Sequence, residues 1–313
     1  MMKPLQLISP NTKIPFLTYR MIAFVVSGVL MATSIVLALV FGLNYGIDFR
    51  GGTLIEIQDK TGPADIGKIR DKLSNLGLGD VQIQEFGGPR DVLIRISQQP
   101  GGDEVQQQVI TRVKEVIGDT VEYRRVEVVG PKVSAELITS GITAVIAAIF
   151  AVLIYIWFRF EWQFSIGAVA ALVHDVVITI GMFSALQLEF NLSIIAAILT
   201  IVGYSLNDTV VVFDRVREEL RRYKTMELSA LLNLAINRTL SRTIMTSVTT
   251  LLALLSLYIF GGEVIRGFTF AMIWGVVIGT YSSIFIASPI LLLLKVKRDW
   301  SRTGASPANN SAS

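Results

Sequence analysis

Three residues carry charge inside runs of apolar sequence where charge is costly. Asp175 stands beside His174 in ALVHDVVIT, Asp208 beside Asn207 in VGYSLNDTVVVFDR, and Arg242 opens the apolar stretch of NRTLSRTIMTSVTT. An ionised side chain near the centre of a membrane-spanning helix costs at least about 2.5 to 3.5 kcal/mol on insertion scales, so each needs a partner or a task. Arg242, Thr246 and Thr249 recur at i, i+4 and i+7, which places them on one helical face. That face is expected to meet Asn207 and Asp208. Desolvation disfavours the charged carboxylate and a guanidinium favours it. A movement that separates Asp208 from Arg242 would let the acid take up a proton, and its return would expel it. The candidate proton path is therefore Asp208, Arg242, Asn207, Thr246 and Asp175. The bland alternative is that these groups only tie helices together, at about 0.6 kcal/mol per bond on average in membranes, a weak return on the insertion cost. His174 alone reads as a hydrogen-bonded packing residue, and Asp214 and Arg215 as interfacial anchors.

Other chemistries are excluded by what is missing. The sequence has no cysteine and one histidine, so a disulfide scaffold, a thiolate metal site, a cysteine nucleophile and a multi-histidine metal cluster are all ruled out. No GxxxxGK[ST] segment occurs, and the GGT of GLNYGIDFRGGT is not followed by a helical pattern. The glycines Gly42, Gly46, Gly51 and Gly52, with Asp48 and Arg50 among them, fit a tight chain reversal better than a ligand site. No enzyme activity and no cofactor are expected. Work done by this chain must draw on an ion gradient, with protons as the coupling ion, or on a partner ATPase.

The elements that hold these residues are membrane helices. Apolar residues make up 52% of the 313 and charged residues 17%, against about 25% charge in soluble chains. Six runs are long enough to cross about 30 Å of hydrocarbon. They lie near Met21 to Phe41, Ile138 to Phe158, Phe164 to Phe183, Leu192 to Phe213, Arg242 to Phe260 and Gly267 to Leu294. The first follows Lys3, Lys13 and Arg20 without a small-residue cleavage site and reads as a retained anchor. Lys and Arg crowd residues 1–20, the basic loop at 214–238 and the tail at 295–313, whereas 184–191 has none. The positive-inside rule then puts both termini in the cytoplasm and residues 44–135 in the periplasm. Residues 21–43 form the first span and 136–294 the other five. The segment DRVREELRRYKTMELSALLNLAINRTL, charged first and then amphipathic with Leu228, Leu231, Leu232, Ala235 and Ile236 on one side, reads as a cytoplasmic helix lying on the membrane surface, and the polar tail TGASPANNSAS as disordered.

Residues 44–135 have their own pattern. GTLIEIQ, VQIQEF, VLIRIS and TVEYRRVEVV alternate as strands, while Ala64 to Leu76 and Val105 to Ile117 repeat at helical spacing. The order is β-α-β-β-α-β, so a ferredoxin-like α+β domain is expected between the first two transmembrane helices. Between Asp48 and Ala135 there are 12 Lys and Arg against 14 Asp and Glu. With no basic stripe and no interleaved aromatics, a nucleic-acid partner is not expected.

NYGIDFRGGT, ALVHDVVIT, SIIAAILTIVGYSLNDTVVVFDRVRE and NRTLSRTIMTS together resemble the signatures of the SecD/SecF family, and of its SecF branch, over nearly the whole chain. The resemblance implies a six-span subunit of the resistance-nodulation-division superfamily that pairs with a similar SecD half. It further implies a role in the Sec pathway, with the proton-motive force drawing exported unfolded polypeptide across the inner membrane after the SecA ATPase has pushed it through SecYEG. YajC and YidC are further implied partners. The acid of the family's SLNDT motif corresponds to Asp208 and the arginine of its SRTIxTS motif to Arg242, and a further acidic relay residue belongs to SecD. Two rival readings stay open: a small-molecule exporter of the same superfamily, and a passive scaffold without proton coupling.

Overall fold

The computed structural model describes residues 12–296. The expectations for the first eleven residues and for the polar C-terminal tail lie outside the described residues. After a 3-10 turn at Phe16–Tyr19 the chain forms α1 (Arg20–Val40) and the two-residue strand β1 (Asn44–Tyr45). There follow the single turn α2 (Ile47–Arg50), β2 (Gly52–Asp59), α3 (Ile66–Ser74), β3 (Val81–Glu85), β4 (Asp91–Ile96), α4 (Asp103–Ile117) and β5 (Val121–Val129). The remaining elements are α5 (Pro131–Arg159), α6 (Trp162–Leu186), β6 (Glu189–Phe190), α7 (Leu192–Arg222), α8 (Leu228–Phe260), a 3-10 turn at Glu263–Ile265, α9 (Arg266–Ser282), a π-turn at Ser283–Ala287 and α10 (Ser288–Leu293). Among the described residues, six helical segments are long and apolar enough to cross a membrane. The chain is a multi-pass membrane protein.

The central helix is α6, with fifteen of its twenty-five residues buried, whereas α5 buries three of twenty-nine. Around α6 stand α1, α5, α7 and α9, and α8 closes the bundle against α7 and α9. Close approach is set by small residues, which let helix backbones meet where apolar association in lipid is weak. A Cβ added at Gly279 of α9 would stand 3.0 Å from Ser205 Cβ of α7, and one at Gly275 would overlap Ile201.

Between α1 and α5 lies a separate α+β unit whose strands run in the order β3-β4-β2-β5, all neighbours antiparallel. Strand alternation explains its two faces. Ile55, Ile57 and Ile94 point to one side, where α3 and α4 bring Leu73, Val109 and Val113. Leu54 and Leu93 point to the other, with Ile47. The strands and helices fall where the alternation and helical spacing predict them.

The glycine-rich segment joins this unit to the bundle. Gly42, Gly51 and Gly52 have φ of +67°, +72° and +118°, a region that other residues rarely enter. β1 pairs in parallel with β6, and the Asp48 carboxylate accepts from the Leu192 amide at 2.8 Å, which caps α7 from outside its own sequence. A second tie is the ion pair of Arg95 on β4 with Glu189 in the α6–α7 connection. Burial holds the Glu189 carboxyl above the ordinary range, Arg95 pulls the other way and Asp48 adds to the rise.

Two expectations are corrected. The segment 214–238 is not an extended basic loop: α7 runs on to Arg222 and α8 begins at Leu228. The segment from Asp214 to Leu240 is not one separate surface helix: it ends α7 and opens α8, and Leu231, Leu232, Ala235 and Ile236 are buried in the bundle core. Both helices outrun the hydrocarbon, at about 46 and 50 Å for 31 and 33 residues. Their projecting turns are locked by Glu219, buried on α7, which accepts from Arg215 at 2.7 Å and from Arg238 of α8.

Candidate functional site

The buried polar groups converge where α6, α7, α8 and the break after α9 meet. α6 supplies His174 and Asp175, each 1% exposed. The His174 Nδ1 lies 2.9 Å from Asp175 Oδ1. The other oxygen, Oδ2, accepts from Ser205 Oγ of α7 at 2.6 Å and from Ser282 Oγ of α9 at 2.8 Å. Asp175 therefore has both oxygens satisfied and binds three helices to one point. The partner that its sequence context does not advertise is the neighbouring His174, whose ring also stacks on Tyr281, with centroids 5.9 Å apart. Tyr281 continues the chain of contacts to α1 through Ser27 Oγ, 2.9 Å from its hydroxyl.

Asp208 sits one turn beyond Ser205 on the same side of α7, buried but with less cover. Its Oδ1 accepts from Thr243 Oγ1 of α8 at 2.6 Å. Its Oδ2 is buried without a hydrogen-bond partner among the described residues. The Ser283 hydroxyl lies beside this carboxylate but donates to the Gly279 carbonyl at 2.7 Å. Ser282 and Ser283, adjacent in sequence, thus stand next to Asp175 and Asp208 respectively.

Those two serines sit where α9 gives way to the π-turn. Pro289 is the cause: it has no N–H to bond the carbonyl four residues earlier, and its ring clashes there. The chain answers with one wider turn, and Ser288 Oγ donates to the Ser283 carbonyl at 2.9 Å. Such turns occur often at functional sites.

The expected pairing of Arg242 with Asp208 is not a direct bond in this arrangement, although the guanidinium charge still acts on the carboxylate. Arg242, Thr246 and Thr249 lie on the exposed face of α8, and Arg242 forms no ion pair among the described residues. Asn207 is exposed as well. The buried face of α8 runs through Ile236, Thr239, Leu240, Thr243 and Ser247. One residue is a rotation of about 100°, so Thr243 points inward where Arg242 points out. The signal was present in the sequence: extending the apolar stripe Leu232, Ala235, Ile236 by helical spacing lands on Thr239, Leu240 and Thr243. Asp214, within α7, is bonded to Arg159 at the end of α5 at 2.8 Å, and Arg215 to Glu219 at 2.7 Å.

Among the described residues no group of three His, Asp or Glu side chains converges as metal ligands do. What the arrangement offers is two buried carboxylates on neighbouring helices, joined through hydroxyls and through α7 itself. One is fully bonded and one has an oxygen to spare.

A family model described as protein export membrane protein SecD/SecF, C-terminal, matches residues 108–297, and the SecD/SecF GG motif matches residues 36–58. A protein translocase subunit SecF from Cereibacter sphaeroides is 49% identical over 303 residues, covering 94% of this chain and 93% of that protein. A protein translocase subunit SecDF from Brucella abortus is 44% identical, covering 94% of this chain but 39% of the longer protein. The crystal structure of SecDF, a translocon-associated membrane protein from Thermus thermophilus, superposes with a TM-score of 0.82 at 34% identity. It covers 93% of this chain, which spans 40% of that one. A super-membrane-facing form of SecDF superposes less closely, at 0.69.

Proposed function

The chain belongs to the SecD/SecF family of protein-export membrane proteins, and on that premise we propose that it is a proton-coupled, non-enzymatic subunit of the Sec machinery. It pairs with a SecD half, as the single-chain SecDF relatives suggest by carrying this length of sequence within a longer protein. The α+β unit, whose strand order suits a ferredoxin-like domain, faces the periplasm, and both termini face the cytoplasm. Further partners are SecYEG, YajC and YidC, and the cargo is unfolded polypeptide in transit.

The observation that carries the reading is the uneven bonding of Asp208. An ionised carboxylate with one bare oxygen in an apolar interior is costly, and a proton placed on that oxygen relieves the cost. The relief need not stay local. Asp208 shares α7 with Ser205, whose bond to Asp175 meets that of Ser282 beside the π-turn, and the opposite end of α7 is capped by Asp48. A shift of α7 on proton uptake therefore reaches both the deformable turn and the joint of the outer domain. Arg242, on the outward face of α8, would pair with an acid of SecD while Asp208 is protonated, and a movement bringing its guanidinium back toward Asp208 would favour the carboxylate and expel the proton.

Asp208→Asn keeps the shape and the Thr243 bond while removing the titratable charge. In vesicles carrying the variant with wild-type SecD, gradient-dependent stimulation of export is expected to fall at least about ten-fold with assembly unchanged, as for a step needing more than about 1.4 kcal/mol of proton energy. Full stimulation by the variant would leave only the scaffold reading.

A further inference from the structure

Between the α+β unit and the near ends of the long helices lies a cavity of about 550 Å³. Its roof is the sheet face opposite α3 and α4, with Leu54, Gln84 and Leu93, and its floor includes Leu188, Tyr258 and Phe270. Five acids line it, Asp48, Glu85, Glu127, Glu189 and Glu263, against Arg125 and Arg266. Both arginines are consumed within the wall, Arg125 by Glu127 and Arg266 by Glu263. Glu85 has no ion pair among the described residues. The cavity is thus part apolar and acidic on balance.

One wall is a free sheet edge. β3 is the terminal strand and, among the described residues, pairs with β4 alone. The bonds Phe86 N to Asp91 O and Ser97 N to Asp80 O fix the parity of that ladder. The backbones of Gln82, Gln84 and Phe86 bond inward, while the amides and carbonyls of Val81, Ile83 and Glu85 point away from the sheet. Exposed edges of this kind are templates for another strand, and proteins usually blunt them with charges or proline. The opposite edge, β5, has four charged residues in nine, Glu122, Arg124, Arg125 and Glu127. β3 has Glu85 alone in five and no proline.

We propose that β3 and this cavity hold a segment of exported polypeptide in extended form, added as a fifth strand along β3 with alternate side chains entering the cavity. The inference rests on the protein-export reading above and names the surface that would touch the cargo. Backbone pairing at an edge is indifferent to sequence, which suits a carrier of many different polypeptides. The acidic balance favours segments with basic and apolar side chains.

The test places a photo-activated crosslinking residue at Gln84, which is exposed on β3, or at Glu122, exposed on β5, in the full chain assembled with SecD. The probe is a secretory polypeptide arrested in transit by a folded domain fused to its C-terminus. Crosslinks at Gln84 and not at Glu122 are expected. Glu85→Pro removes one outward amide without touching the ladder to β4, and should weaken the Gln84 crosslink about five-fold, as the loss of one backbone hydrogen bond implies. Should Glu85→Pro fail to assemble, the contrast between Gln84 and Glu122 decides alone. Equal crosslinking at both positions overturns the proposal, as does none at Gln84 in a complex that still stimulates export. An unsubstituted complex that gives no stimulation overturns the export reading itself.

Discussion

Asp175 and Asp208 lie on neighbouring helices, both buried, and are held in different ways. Asp175 has a ring nitrogen on one oxygen and two serine hydroxyls on the other, drawn from three helices. Asp208 has one threonine on one oxygen and, among the described residues, no hydrogen-bond partner on the other, with the Ser283 hydroxyl nearby. A carboxyl group with both oxygens engaged resists change, because any movement strands several partners at once. One that is half engaged can gain or exchange a partner at little cost. The contrast is between a carboxyl fixed from three helices at Asp175 and one with an oxygen to spare at Asp208.

The largest effect that could break this contrast is on stability. Asp175→Ala would remove the partner of His174 Nδ1 and Ser205 Oγ in the interior and leave Ser282 only its bond to Gly279, and a loss of about 1 to 3 kcal/mol for each stranded group is expected from thermal unfolding of the complex. If that loss is no larger than the one caused by Asp208→Asn, the two sites are not different in kind. A smaller effect sharpens the description of Asp208. Thr243→Val removes the single hydroxyl on Oδ1 and should cost about 1 to 3 kcal/mol, yet close to nothing in a chain already carrying Asp208→Leu. Additive losses in the double variant would mean that Thr243 stabilises α8 by some other contact.

The smallest effect concerns the outer domain. Burial raises the Glu189 carboxyl above its ordinary range, so the docked state binds the proton more readily than the undocked state. Docking is then favoured by this group at pH below the ordinary carboxylate value and loses that contribution as pH rises through the raised one. The stability of wild type relative to Glu189→Gln is expected to fall over that window, followed by thermal unfolding from about pH 4 to about pH 8. Because Glu189 is partly exposed, the change is a fraction of a kcal/mol to about 1 kcal/mol. A pH-independent difference would count against it.

The two acids were legible in the sequence because ionisable groups are scarce and costly in apolar helices. Their partners were not: Ser205, Ser282 and Thr243 cost little to insert, so nothing in composition marks them. The outer unit was legible element by element, since Ile55, Ile57, Ile83 and Ile94 alternate plainly on short strands. Arg242 shows the limit of helical spacing. Its face was identified correctly as a set, but the choice of which neighbour it meets turned on one residue of rotation. The amphipathic start of α8 is ambiguous in sequence for a similar reason, because burial in a bundle and contact with a membrane surface both select the same one-sided pattern.

The wide turn at Ser283–Ala287 has a bearing on geometry further along. It takes up one residue more than a regular turn, so positions five apart there occupy the stations that four apart hold elsewhere, as the Ser288–Ser283 bond illustrates. That surplus residue is a slack link. Were it passed one step toward α9, the serine presented to each acid would change without the helix coming apart, and a rotation confined to this one segment would register at Asp175 and Asp208 together.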